Sequence, residues 1–153
     1  WKVFYKQAVN STGMSYSVYV VELNPETFRP PNKFKKDNPH IWDSKGKTKM
    51  KDFKMFYVGQ SAHSPSCRFD QHKQCHGEDI KFHCHCGMEC SCCKNEHIID
   101  KNRSNIWVRE HGLKLRRDLY LKYNPMSSYD ESVKAEKYLT AQLRKMGHAS
   151  YCR

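Results

Sequence analysis

Six of the eight cysteines of this 153-residue chain fall between Cys75 and Cys93. A disulfide-framed domain spreads its cysteines along the chain, because each bridge must tie separate segments together. Here Cys75, Cys84, Cys86, Cys90, Cys92 and Cys93 crowd into one stretch, with His76, His83 and His85 between them and His97 close behind. Adjacent Cys92 and Cys93, and the Cys84-x-Cys86 pair, are awkward for separate bridges and suit thiolates converging on a metal ion. Zinc takes four such ligands. The expected set is Cys84, Cys86 and Cys90 with one of Cys92, Cys93, Cys75 or His97, and the donor pool is large enough for a second ion. The tight spacing predicts a knuckle-like coil rather than a ββα finger. The other reading of the segment is a redox-sensitive or disulfide-bonded loop. It has little apolar matter to bury, so its folding is expected to depend on structural Zn²⁺. We read residues 75–103 as an insertion within one domain spanning 1–153.

Charge narrows the partners. Lys+Arg total 27 against 16 Asp+Glu, a formal net charge of +11. Such an excess points to a polyanion, with nucleic acid first. An apolar fraction of 38% with 12% aromatics still supports a folded core. No run of 18 apolar residues exists, so no membrane partner is expected. No hydrophobic leader opens the sequence, and an intracellular location, cytoplasm or nucleus, is expected rather than secretion.

Tyr16 to Leu23 is rich in β-branched and aromatic residues and predicts a first strand, ended by Asn24-Pro25. Residues 24–52 hold Pro25, Pro30, Pro31 and Pro39, and seven lysines from Lys33 to Lys51. They predict a long, basic, turn-rich loop that is functional or mobile. Its Lys33, Lys35, Lys36, Lys47 and Lys49, with Lys73 further on, are candidate DNA-backbone contacts, which give sequence-blind and salt-dependent affinity. A merely solubilising loop is the other reading. Phe53 to Gly59 predicts a second strand. Ser64-Pro65 then opens a helix over Pro65 to Gln74, with Arg68 and His72 at i and i+4 on one face. Asn105 to His111 is a short strand or helix, and Leu113 to Tyr123 a weakly amphipathic piece. Ser127 or Ser128 caps a last helix with Asp130 and Glu131 in its first turn and Gly147 at its end.

Four features stand in order along this frame: Val18-Tyr19-Val20 in a strand, Tyr57-Val58-Gly59 in the next, Arg68 with His72 on a helix, and Glu136 on a later helix. The order resembles the GIY-YIG nuclease superfamily. The blocks FYVGQSAHSPSCRFDQHK (56–73) and VREHGLKLRRDLYLKYNPMS (108–127) are similar to a bacterial-type branch of it, and the likeness runs from Tyr16 to Cys152 around the insertion. It implies an α/β fold with a small antiparallel sheet flanked by helices, and metal-dependent cleavage of DNA, double-stranded in the first instance. It also implies that such a domain can be tethered to others in a longer polypeptide.

The resemblance assigns catalytic roles to Tyr19, Tyr57, Arg68, His72 and Glu136. Phosphodiester hydrolysis needs an activated water and a counter-charge for the transition state. Tyrosine is a poor base at its ordinary pKa of about 10, but positive neighbours lower it. Tyr19 is expected to activate the water, directly or through His72, and Tyr57 to hold the water or the phosphate. Arg68 offers a permanent bidentate fork. Glu136 gives one hard oxygen ligand for catalytic Mg²⁺ or Mn²⁺, which suits a single-metal site. Outside such a pattern, strand tyrosines are usually core residues, a helical arginine is usually solvated, and Glu136 would pair with Lys134 or Lys137 in water. Two rivals stand beside the nuclease: a non-catalytic zinc-containing nucleic-acid-binding module, and a secreted cationic, disulfide-bonded protein.

Overall fold

In a computed structural model of the chain, residues 15–74 and 105–153 are described, together with the backbone of two strands at 80–83 and 96–99. The first strand, β1 (Ser17–Leu23), reads SVYVVEL and is buried along its whole length. It pairs antiparallel with β2 (Met55–Ser61), from Ser17 opposite Ser61 to Leu23 opposite Met55. Its other edge takes β5 (Gly112–Leu115), also antiparallel. The strand β6 (Ala149–Cys152) lies on the free side of β2, giving the order β5-β1-β2-β6.

The expected all-antiparallel sheet is corrected to a mixed one, because β6 runs parallel to β2. The last helix, α5 (Tyr129–Lys145), brings the chain back to where β2 begins. Gly147 turns it there at a φ of 90°, a conformation that favours glycine, and Ala149 N–H donates to the Lys54 carbonyl at 2.9 Å. Four residues are too few to show the two-residue period by which a strand is read in sequence.

The helices carry the caps that their sequence dictates. Ser128 Oγ accepts the Glu131 N–H at 3.1 Å, and Asp130 and Glu131 place negative charge in the first turn of α5. Helix α2 (Pro65–Gln74) has its expected bounds, with Ser64 Oγ accepting the Cys67 N–H at 3.3 Å. Asn105 Oδ1 caps α3 (Ile106–His111) by accepting from Trp107 and Val108, so this ambiguous segment is a helix. Leu113 to Tyr123, expected as one amphipathic piece, is instead β5, a short α4 (Arg117–Tyr120) and a 3-10 turn at Leu121–Tyr123.

The basic loop needs a larger correction. It contains a five-residue helix, α1 (Asn32–Lys36), and its Phe28, Phe34, Ile41 and Trp42 belong to the core. Phe34 is the hub, with ring centroids 5.3 Å from Phe28, 5.9 Å from Trp42, 5.7 Å from Trp107 and 6.2 Å from Tyr151. These aromatics sit at irregular intervals among prolines, so no periodicity betrays them. In the insertion, β3 (Ile80–His83) and β4 (Glu96–Ile99) form an antiparallel ribbon. Cys75, Cys84, Cys86, Cys90, Cys92 and Cys93 lie outside the described residues, and His97 stands opposite Phe82 in the backbone ladder.

Two asparagines finish the sheet. Asn124 Oδ1 accepts the Val18 N–H at 2.8 Å, and its Nδ2 donates to the Val18 carbonyl at 2.7 Å. Asn38 does the same to Ser150 on the outer edge of β6, at 2.9 Å in each direction. Each side-chain amide satisfies a buried backbone donor and acceptor where no strand reaches. Asn124→Leu and Asn38→Leu are each expected to lower stability by about 2–4 kcal/mol, since each leaves both backbone groups without partners. Urea denaturation measures the loss.

Candidate active site

Pairing fixes which residues share a face of the sheet. Tyr19 stands opposite Gly59, and Tyr57 opposite both Val21 and Tyr151, so Tyr19, Tyr57 and Tyr151 lie on one face. The alternate set, which includes Ser150 and Cys152, faces α5.

Gly59 makes room for Tyr19. A Cβ at position 59 would strike the Cζ and hydroxyl oxygen of Tyr19, so only glycine lets the phenol lie across β2 at this register. The ring is 2% exposed and cannot swing into solvent to relieve the clash. Gly59→Ala is expected to lower stability by about 1–3 kcal/mol by displacing that ring, as read in urea unfolding.

Helix α2 brings Arg68 and His72 over the phenols. The Tyr19 hydroxyl lies 2.9 Å from His72 Nε2. The Tyr19 ring centroid is 6.3 Å from that of Tyr57 and 6.2 Å from His72, and Tyr57 is 6.4 Å from His72. Arg68 Nη1 donates to Gln71 Oε1 at 2.9 Å, and both Arg68 and Tyr57 act on the Tyr19 hydroxyl so as to favour its anion.

The tautomer of His72 follows from its other nitrogen. Asn105 N–H donates to His72 Nδ1 at 2.8 Å, so Nδ1 carries no proton. Burial, with the nearby Arg68 charge, lowers the His72 pKa to about 3 and keeps the ring neutral. The single ring proton is therefore on Nε2 and is donated to Tyr19. His72 is a donor to the phenol and is not placed to accept its proton, which closes the expected relay through His72.

Burial and charge oppose each other at Tyr19. Burial raises its pKa to about 12, Arg68 pulls it down, and Glu136 pushes it up. Tyr57 is raised by burial and by the charges of Tyr19 and Glu136, while Arg68 and Arg153 lower it. The sequence-predicted Tyr19, Tyr57, Arg68 and His72 are thus in one cluster. Glu136, on α5, comes from the other face, and its charge bears on both phenols where the β2–β6 ladder ends at Val58 and Cys152.

Glu136 is 7% exposed and forms no ion pair among the described residues. Burial raises its carboxyl to about 7, against smaller opposing effects of Lys137 and the Cys152 thiol. A buried carboxylate short of positive charge is a fitting ligand for a divalent cation. Among the described residues no three His, Cys, Asp or Glu side chains gather into a metal-binding group, so Glu136 would leave most positions to water and phosphate.

The lysines divide. Lys73 Nζ donates to the carbonyls of Gly112, Arg109 and Val108 at 2.9, 3.2 and 3.5 Å. It closes the end of α3 and is thereby taken out of the set of phosphate contacts. Lys33 lies 5.4 Å from the centroid of the Tyr151 ring, beside Tyr57 in the sheet. Lys36 and Lys47 are exposed, Lys35 is half-buried, and the exposed Lys49 donates to the Pro39 carbonyl at 3.1 Å. Sequence reasoning missed Gly59 as a spacer, Asn105 as the partner of His72, and Cys152 beside Glu136. Only Gly59 left a sequence signal, as the last letter of the Tyr-Val-Gly motif.

No family model, no curated protein and no solved structure matches this chain. Among the described residues no helix is long and apolar enough to cross a membrane.

A folded-state pKa above the unfolded one means that the native protein holds the Glu136 proton more tightly. Stability attributable to this group is full below pH 4.5 and declines as pH rises toward about 7. Without divalent cations, Glu136→Gln is expected to remove that decline. The gain near pH 8 should be roughly 1–2 kcal/mol, with none near pH 4, in denaturant titrations at both pH values.

Proposed function

We propose that this chain is a metal-dependent endonuclease of the GIY-YIG type that hydrolyses DNA phosphodiester bonds. The supporting observation is the convergence on one phenol: the Tyr19 hydroxyl lies 2.9 Å from His72 Nε2, and Arg68, Tyr57 and the Glu136 charge all act on the same group. A tyrosine placed merely to fill a core needs one hydrogen-bond partner; here His72 is joined by Arg68 and Tyr57, which also favour the anion.

In this reading Tyr19 takes the proton of the attacking water directly. His72 orients the phenol and stabilises its anion, and Tyr57 donates to the same oxygen. Arg68 neutralises charge that develops on the phosphate in the transition state. Glu136 would hold Mg²⁺ or Mn²⁺, which would supply positive charge for the transition state. The net charge of +11 and the exposed Lys33, Lys36 and Lys47 supply the sequence-blind attraction for DNA. The zinc assigned to residues 75–103 remains part of this proposal as a structural ion.

Tyr19→Phe, Arg68→Ala and Glu136→Ala are each expected to slow plasmid nicking in Mg²⁺ or Mn²⁺ by about 10²–10³-fold. DNA affinity should change far less, as read by fluorescence anisotropy. Because burial holds Tyr19 near 12, the wild-type rate should climb about tenfold per pH unit through neutrality, and Tyr19→Phe should flatten that slope. Cleavage that survives these substitutions overturns the site. DNA binding with no cleavage in any metal favours the non-catalytic module.

A further inference from the structure

Cys152 is a half-buried free thiol on the strand that faces α5. Its place is set by a two-step match between β6 and the helix. Ser150 Oγ donates to the Thr140 carbonyl at 2.7 Å. Two residues further along the strand and on the same face, Cys152 comes level with the preceding helical turn, which carries Glu136, and its thiol bears on the Glu136 carboxyl. The Thr140 hydroxyl donates to the Glu136 carbonyl at 2.7 Å, and it acts on the Cys152 thiol as well. A carboxylate that is more than nine-tenths buried, with no ion pair among the described residues, thus has a sulfur donor fixed beside it by a strand and a helix.

We propose that Cys152 is the second protein ligand of the cation held by Glu136, so that the site prefers a thiophilic or borderline ion such as Co²⁺, Zn²⁺ or Mn²⁺ to Mg²⁺. The inference rests on the reading of Glu136 as a cation ligand and adds which ions that site takes. Binding replaces the S–H bond by a sulfur–metal bond, and the proton leaves to solvent. Magnesium demands oxygen ligands and gains little from sulfur, whereas a thiolate favours the softer ions. Two protein ligands still leave positions open for water and a phosphate oxygen.

The test is a Co²⁺ titration of the reduced, as-purified chain, followed by thiolate-to-cobalt charge-transfer absorption. Wild type is compared with Cys152→Ser, Cys152→Ala, Glu136→Gln and the double variant Cys152→Ser/Glu136→Gln. The other seven cysteines are common to all five proteins, so differences report Cys152 alone. Both Cys152 variants should lose one thiolate's share of the absorption and weaken Co²⁺ at that site at least tenfold. Competition by Mg²⁺ should change less than twofold. Adding Cys152→Ser to Glu136→Gln should remove nothing further. Circular dichroism melts check that each variant is folded. Unchanged absorption in both Cys152 variants overturns the inference, and so does a Cys152-dependent band that persists in Glu136→Gln. Mn²⁺ binding, read from the paramagnetic resonance of the free ion, separates the two levels. Loss of Mn²⁺ in Glu136→Gln with no effect of Cys152→Ser sinks only the thiolate ligand; no loss in either variant also removes Glu136 as a cation ligand.

Discussion

A strand can be buried on both faces only if both of its edges find hydrogen-bond partners, and β1 meets this demand with unlike parts. One edge belongs to β2 throughout. The other is assembled from the Met126 backbone, the Asn124 side chain, the Arg116 N–H and finally β5. An unpaired N–H or carbonyl here would cost about as much as a typical destabilising mutation. The cluster around Tyr19 depends on this closure. Tyr19 lies between Val18, which Asn124 holds, and Val20, whose carbonyl accepts from Arg116 at 2.9 Å. A phenol on a frayed edge would not keep 2.9 Å to an imidazole on another element.

The cluster around that phenol is built on opposed tendencies. Removing Tyr19 from water favours its neutral form, while His72, Tyr57 and the Arg68 guanidinium favour the anion. Glu136 adds to the side of neutrality. The balance is therefore sensitive to one added positive charge near the carboxylate, which would cancel the Glu136 effect on both phenols at once. His72 contributes without titrating, because the backbone of Asn105 fixes its tautomer. The same residue starts α3, whose end Lys73 closes from α2. His72 and Lys73 thus tie α2 to the two ends of α3, and the orientation of His72 depends on that pair of helices.

What the sequence disclosed was local. Helix α2 with Arg68 and His72 one turn apart, the Ser128 cap, the Gly147 stop and the two tyrosine strands all follow from short-range rules of period, capping and turn chemistry. The groups left unread act over long separations. Asn38 and Asn124 look like ordinary turn residues, and each works only because a strand over a hundred positions away needs an amide. The four residues of β6 carry no readable period, so neither the parallel pairing nor Cys152 beside Glu136 was foreseeable. Lys73 looked like any surface cation until three carbonyls converged on it. Phe28, Phe34, Ile41 and Trp42 lay in view as apolar letters, but prolines and lysines around them concealed a core segment.

That last segment has a consequence for how its cations act. An ordinary lysine-rich loop samples many shapes and must surrender that freedom on meeting a polyanion, which subtracts from affinity. Here the rings of Phe28, Phe34 and Trp42 clamp the main chain beneath Lys33, Lys35 and Lys36. The ordering entropy of that main chain is met once, during folding, and the exposed Lys36 keeps its side-chain freedom. A polyanion meeting these lysines would find their main chain already ordered and would have only side-chain freedom left to remove.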